Sequence, residues 1–260
     1  MKKSYAVITG ASSGIGEEFA RQLAEEGHSL ILIARRKERL EKLKSELEKN
    51  GTESIVMITD LSKPEECNRL IEELEPYRIS IFINNAGFGE CGSFLETEEK
   101  KELDMIDVNI KAMHLLFKRI LKHMEKQKYG YILNVASSAG LLPAGPYMAA
   151  YYATKSYVAS LTRAVARELK ERGSHVYAGA LCPGPVDTEF NQTAHVSFAL
   201  PGITPEYCVK YAIRQMKKRK VVIIPTALLK IAAIGGRFIP QKLLIAITGR
   251  QQKKKIQEVK

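Results

Sequence analysis

The sequence predicts an α/β protein built as a doubly wound, seven-stranded parallel sheet with helices on both faces. Three observations predict it. Short β-rich runs alternate with amphipathic helical runs from residue 4 to residue 224, the pattern of strand–helix–strand units whose strands run parallel. The runs are almost continuously apolar, as in Leu30-Ile31-Leu32-Ile33, which suits strands covered on both faces. A glycine-rich turn, Gly10-Ala11-Ser12-Ser13-Gly14-Ile15-Gly16, joins the first strand to the first helix, where such sheets bind ligands outside the carboxyl ends of their strands.

The elements follow in order. Residues 4–9 are β-rich and stop at glycine, giving the first strand. Apolar residues at 19, 20, 23 and 24 place a helix over 17–26 that ends at Gly27. A strand at 29–34, a charged amphipathic helix at 36–49 and a strand at 54–59 complete the first unit. Pro64 is a good first-turn residue and opens a helix over 64–75. A strand at 80–84, a loop through 88–96, a long helix over 99–127 and a strand at 131–135 come next. A helix over 151–171 ends at Gly173, and a strand over 175–181 runs into Cys182-Pro183-Gly184-Pro185. Thr204-Pro205-Glu206 supplies an N-cap, a first-turn proline and an acid, so a helix starts there, and 221–224 is the last strand.

Composition narrows the class without naming a function. The 260 residues are 45% hydrophobic and 27% charged, an ordinary globular balance. Four scattered cysteines, with no metal-ligand spacing, read as reduced thiols of a cytoplasmic protein, and the N-terminal apolar run is too short for a signal peptide. The net charge of +11 is concentrated at one end. Thirteen of the 40 Lys and Arg, but one of the 29 acids, lie from Arg214 onward. The basic end has no aromatic interleaving beyond Phe238, so a nucleic-acid partner is not expected.

The glycine turn points to a dinucleotide. Glycine permits a tight turn and lets a phosphate approach the backbone N–H groups at a helix N-terminus. The spacing is GxxxGxG, and there is no GKS or GKT, which excludes a nucleoside triphosphate P-loop. At the end of the second strand an acid suits a ribose 2′-hydroxyl and an arginine suits a 2′-phosphate. The chain has Ala34-Arg35-Arg36-Lys37 there and no acid, so NADP(H) is expected over NAD(H).

A second cluster carries proton chemistry. Tyr151 and Lys155 are four apart, on one helix face. A lone Tyr-x-x-x-Lys pair is most often plain helix surface. With a hydride source beside it, the pair is the apparatus for reducing a ketone or oxidising an alcohol. The ammonium would pull the phenol from about 10 toward neutrality, tuning it as an acid or base.

These stretches, with Asp60, Asn84-Asn85-Ala86-Gly87, Asn109, Ser137/Ser138 and Pro183-Gly184-Pro185-Val186-Asp187-Thr188, occur in one order over residues 4–190. In that order they resemble the short-chain dehydrogenase/reductase family, in its short single-domain branch with a Rossmann-like fold. The resemblance implies roles. Asp60 and Leu61 would contact adenine. Asn85, Ala86 and Gly87 would line the adenosine side and steady the central strands. Asn109 would sit on a kinked helix and hold a water linking Lys155 to solvent. Lys155 would also bind the nicotinamide ribose, while Val186 and Thr188 would bind the carboxamide. Pro183 and Gly184 belong to that last motif. Counting back thirteen residues from Tyr151 gives Ser138 as the catalytic serine. Counting from Asn134 on the strand gives Ser137, and the strand-anchored count is preferred because loops absorb insertions.

Residues 189–203 should form a lid over the substrate. Phe190, Phe198 and Leu200, with Phe88, Leu141, Leu142 and Tyr147, suggest an apolar pocket, and His195 reads as lid surface. The expected partner is therefore an uncharged, apolar carbonyl compound or alcohol, with no metal. Residues 1–225 read as one catalytic domain. Residues 226–260 read as a basic extension of two short amphipathic helices, broken at Gly235-Gly236 and Pro240. That extension could pack on the domain, on a subunit or on an anionic membrane surface. The resemblance implies a homodimer or homotetramer built on the helices near 99–127 and 151–171. The expected activity is an NADP(H)-dependent oxidoreductase acting between a carbonyl and a secondary alcohol. The competing expectations are a non-catalytic NADP-binding regulator and a membrane-surface reductase of long acyl ketones.

Overall fold

Seven strands, β1 (Tyr5–Thr9), β2 (Ser29–Ala34), β3 (Ser54–Ile58), β4 (Ile79–Asn84), β5 (Gly130–Val135), β6 (Val176–Leu181) and β7 (Val222–Ile223), form one sheet. The computed structural model describes residues 3–194 and 202–257, without the side chains of Gln192, Thr193, Arg237 and 254–257. The strand order is β3-β2-β1-β4-β5-β6-β7, and every pairing is parallel. The order reverses between β1 and β4, so their carboxyl ends open the crevice where ligands of such sheets bind.

Among the described residues nine helices flank the sheet. They are α1 (Gly14–Glu25), α2 (Lys37–Lys49), α3 (Pro64–Leu74), α4 (Glu99–Ile106), α5 (Met113–Gln127), α6 (Ala149–Glu171), the one-turn α7 (Phe190–Thr193), α8 (Pro205–Lys217) and α9 (Ala227–Gly235), and α10 (Gln241–Gln257) follows them at the C-terminal end. The period-2 geometry of the strands explains their continuous apolarity. Val7, Ile31, Ile33 and Phe82 face α3, α5 and α6. Ala6, Ile8, Leu30 and Leu32 face α1, α2 and α8. Full burial of each such large side chain contributes about 1.5–3 kcal/mol.

Three boundaries differ from the sequence expectation for physical reasons. The first helix begins at Gly14 rather than residue 17, because the glycine turn itself supplies its first turn. The last strand is only Val222–Ile223, since it pairs on one side alone, with β6. The helix over 99–127 is broken by a π-helical segment at Asp107–Ala112, a feature that recurs at functional sites. Thr204 caps α8 as expected, its hydroxyl accepting from the Tyr207 N–H at 3.2 Å.

A buried polar spine fixes the sheet centre below the crevice. The Asn84 amide donates to the Met113 carbonyl at 3.0 Å and to Asn134 Oδ1 at 3.1 Å. Asn134 donates to Thr162 Oγ1 at 2.9 Å, and Thr162 donates to the Val158 carbonyl. Each polar group is matched, so the spine ties β4, β5, α5 and α6 into one register instead of costing stability.

Candidate active site

The glycine turn lies at the carboxyl end of β1. Gly10 and Gly14 have φ of 66° and 57°, a left-handed conformation that glycine adopts without penalty. A Cβ on Gly16 would run into the Gly10 carbonyl, and one on Gly14 would press on Thr188 at 3.1 Å. Ser13 is the N-cap of α1, and Ile15 packs on the core beneath it. Asn85 secures the turn from β4. Its amide donates to the carbonyls of Thr9 at 3.0 Å and Gly10 at 3.3 Å. The N–H groups of Asn85 and Ala86 donate to Thr9 Oγ1 at 2.9 and 3.0 Å. The result is a bare-backbone cradle at a helix N-terminus, which fits the pyrophosphate of a dinucleotide.

Arg36 lies along that cradle. Its Nε donates to Ser12 Oγ at 3.1 Å and a terminal nitrogen donates to Ser13 Oγ at 2.6 Å. Arg35 is exposed and acts on Asp60 through charge. Burial works to raise the Asp60 carboxyl. The hydrogen bonds from Ser62 and the charges of Arg35 and Lys63 outweigh it and hold the group below the ordinary carboxylate range. Leu61 turns its side chain into the core.

The proton-bearing cluster lies on the far side of β4. Lys155 is 5% exposed, and its ammonium donates to the Val135 carbonyl at 3.0 Å and sits 5.8 Å from the centre of the Tyr151 ring. Asn109, on the π-helical segment, grips the loop after β4. Its Oδ1 accepts from the Phe88 N–H at 3.1 Å, and its Nδ2 donates to the Phe88 carbonyl at 2.8 Å and to Thr154 Oγ1 at 3.1 Å. Gly87 fits between them, since a Cβ there would meet Asn109 Oδ1 at 2.7 Å and Lys155 Nζ at 3.3 Å. Asn109 is thus bound up with protein groups on both ends of its amide.

One expectation is corrected. The spacing of Tyr151 and Lys155 predicts a phenol pulled down toward neutrality. Burial instead pushes Tyr151 up to about 12, with a hydrogen bond to Ser137 working against the rise. Burial likewise brings Lys155 down to about 8. Desolvation is the largest cause of both shifts, since each group is shut away from water.

Of the two candidate serines, Ser137 is the one whose hydroxyl meets the Tyr151 phenol; it also caps the short turn Ser138–Leu141 by accepting from the Ala139 N–H at 3.1 Å. Ser138 opens that turn, and its N–H donates to the Pro183 carbonyl at 2.7 Å. The Pro183–Thr188 stretch crosses to the glycine turn. Val186 is buried and pairs with Ile203, and the Asp187 N–H donates to the Ile203 carbonyl at 3.1 Å. The two ends of the 189–203 segment are therefore joined at its base.

The surroundings of Tyr151 are apolar. Met105, Ala139, Met148 and Tyr152 pack with it, and Phe88, Leu142 and Phe190 join them. Phe190 stands 5.5 Å from the Tyr151 ring. Leu141 packs on the sheet core instead, and the Tyr147 carbonyl accepts from the Gly92 N–H at 2.9 Å. His195, Phe198 and Leu200 lie outside the described residues. Sequence spacing missed Met105, Met148 and Gln252. Gln252, on α10, donates to the Tyr152 hydroxyl at 2.6 Å. Its distance along the chain hid it, and with Gln241, Gln251 and Gln257 on the same helix nothing local marked it out.

Comparison with known proteins bears on this arrangement. The short chain dehydrogenase family matches residues 4–196. The chain belongs to that family. It is an oxidoreductase with the family's fold. A relative, an uncharacterized oxidoreductase of Staphylococcus saprophyticus, is 43% identical over 201 residues, covering 76% of this chain and 79% of the relative. A very-long-chain 3-oxoacyl-CoA reductase of Anas platyrhynchos is 32% identical over 81% of this chain and 68% of its own length. Among solved structures, a short-chain dehydrogenase from Sphingobium yanoikuyae in complex with NADPH superposes with a TM-score of 0.82, at 31% identity, over 92% of this chain and 94% of that one. Another solved family member carries NAD.

Proposed function

We propose that this short-chain dehydrogenase transfers hydride between NADP(H) and an apolar carbonyl compound or secondary alcohol. The observation that carries the reading is the Ser137–Tyr151–Lys155 cluster, with Tyr151 and Lys155 buried and apolar side chains around the phenol, at the same carboxyl-end side of the sheet as a glycine cradle overlain by Arg36. The bound nicotinamide supplies or accepts the hydride. Ser137 holds the substrate oxygen beside the phenol. Tyr151 gives its proton to that oxygen in reduction and takes one in oxidation. Lys155 stabilises the phenolate that this leaves and would hold the ribose. Asn109 keeps the Phe88 loop in place over Lys155 and would position the water of the relay.

The cofactor cradle would consist of Gly10, Ser12, Ser13, Gly14, Ile15 and Gly16. Asn85, Ala86, Gly87, Asp60 and Leu61 would flank the adenosine, and Pro183, Gly184, Val186 and Thr188 the carboxamide. Arg35 and Arg36 favour a 2′-phosphate. Residues 1–225 would form the catalytic unit with 189–203 as its lid, working as a cytoplasmic homodimer or homotetramer through the helices at 99–127 and 151–171.

NADPH oxidation across a panel of ketones, with NADH as control, tests this. The expected result is turnover of apolar ketones with NADPH preferred. A protein that bound NADPH and reduced no member of the panel would instead be the non-catalytic regulator.

A second reading concerns where the enzyme works. Leu228, Ile231, Ile234 and Phe238 are exposed along one stripe of α9 and the turn after it. Residues 226–257 carry seven Lys and Arg and no acid. Leu229, from the opposite side of α9, packs on Gly184, where a Cβ would run into it. The extension would thus grip the site with one face and offer the other to an anionic membrane surface, serving a reductase of long acyl ketones. No helix among the described residues is long and apolar enough to cross a membrane. Flotation with phosphatidylglycerol vesicles is expected for the wild type and lost in Leu228→Glu/Ile231→Glu. Equal flotation of both would refute the surface role.

A further inference from the structure

Arg36 is held from two directions. Ser12 and Ser13 fix it along the glycine turn, and its other terminal nitrogen donates to Glu189 Oε2 at 2.9 Å. Arg39, the third residue of α2, donates to Glu189 Oε1. One carboxylate therefore bridges two guanidinium groups that project from the start of α2. Glu189 follows Thr188, which packs on Gly14, so its place over the cradle is set by the backbone rather than by a chance surface contact. Hydrogen bonds from Arg36 and Arg39 hold its carboxyl below the ordinary range, so it is charged at neutral pH.

A phosphate monoester and a carboxylate satisfy the same guanidinium donors, often through paired hydrogen bonds. Two anions cannot share them without repulsion. The pair is also accessible, with side chains 44% and 40% exposed for Arg36 and Glu189, so its worth is that of a surface ion pair and it can be exchanged.

We propose that Glu189 is a built-in competitor for the 2′-phosphate of NADP(H). It occupies Arg36 and Arg39 until a phosphate-bearing cofactor displaces it, and NAD(H), lacking that phosphate, leaves it in place. Glu189 thereby sets how strongly the enzyme separates the two cofactors, and Arg39 joins Arg36 as a phosphate-reading residue. The inference rests on the NADP(H) reading above.

Equilibrium titration of the full-length protein with NADPH, NADH, 2′,5′-ADP and 5′-AMP tests it, with binding rather than turnover as the readout. Glu189→Gln is expected to tighten NADPH and 2′,5′-ADP by about two- to fivefold, the range of an exposed ion pair, and to leave NADH and 5′-AMP unchanged. Arg39→Ala is expected to weaken only the two phosphate-bearing ligands. A wild type that prefers NADPH through Arg36, but whose preference Glu189→Gln leaves unchanged or reduces, overturns the competitor alone. A wild type that binds NADPH and NADH equally, with Arg36→Ala altering neither, removes the cofactor reading and the competitor with it.

Discussion

Lys155→Met is expected to change how stability depends on pH. A lysine ionises near 10.5 in the unfolded chain, and burial brings Lys155 down to about 8 in the folded protein. Below pH 8 both states hold the proton, and the folded state bears the full cost of a buried ammonium. Between about 8 and 10.5 the unfolded state binds more protons, so stability rises with pH. Full relief corresponds to about 3 kcal/mol. Methionine fills similar space without the charge. It also leaves the Val135 carbonyl without its 3.0 Å donor, a loss that does not vary with pH. Tyr151 and the other buried titrating groups are common to both proteins. Urea unfolding of wild type and variant at pH 7 and at pH 10.5 should therefore show their difference moving by about 3 kcal/mol in favour of the wild type. A pH-independent difference would mean that burial does not shift Lys155, which would then hold its proton in the fold as firmly as in the unfolded chain. Turnover should be lost in the variant at every pH, so the buried charge is retained at a cost in stability.

How far the sequence carries depends on whether a feature is local. The strand–helix alternation and the positive-φ glycines are local, and they appear in the structure where the residues place them. Ser137 was reachable because β5 fixes side-chain direction up to Val135, two residues before it. The π-helical segment was not legible in its own residues, because Asp107–Ala112 contains neither proline nor glycine to mark a break, and only the family resemblance implied a kinked helix at Asn109. The direction of the Tyr151 shift was not legible because spacing reveals a charge four residues away but not the burial that raises the phenol. Two contacts lay beyond any local pattern. Arg36 and Glu189 are 153 residues apart, and Gln252 and Tyr152 are 100 apart. Only the folded sheet brings the end of β2 beside the Thr188 loop, or α10 onto α6.

Tyr151→Phe should have the largest effect on activity. The substitution keeps the ring that packs against Phe190 and Tyr152 and removes only the hydroxyl that meets Ser137. The fold and the cradle around Gly10–Gly16 are untouched, so NADPH binding should hold within about twofold, well below the tenfold that 1.4 kcal/mol would give. Because burial holds the phenol up at about 12, it is protonated at neutral pH and ready to donate in ketone reduction. Alcohol oxidation needs the phenolate and should accelerate as pH rises. General acid–base catalysis contributes about 10²- to 10⁴-fold, and that is the expected loss of turnover. The deciding measurement is NADPH affinity and ketone turnover on the same Tyr151→Phe preparation. Retained binding with turnover reduced by at least about a hundredfold is the predicted result. Near wild-type turnover at matched NADPH saturation would contradict the assignment of Tyr151 as the proton donor.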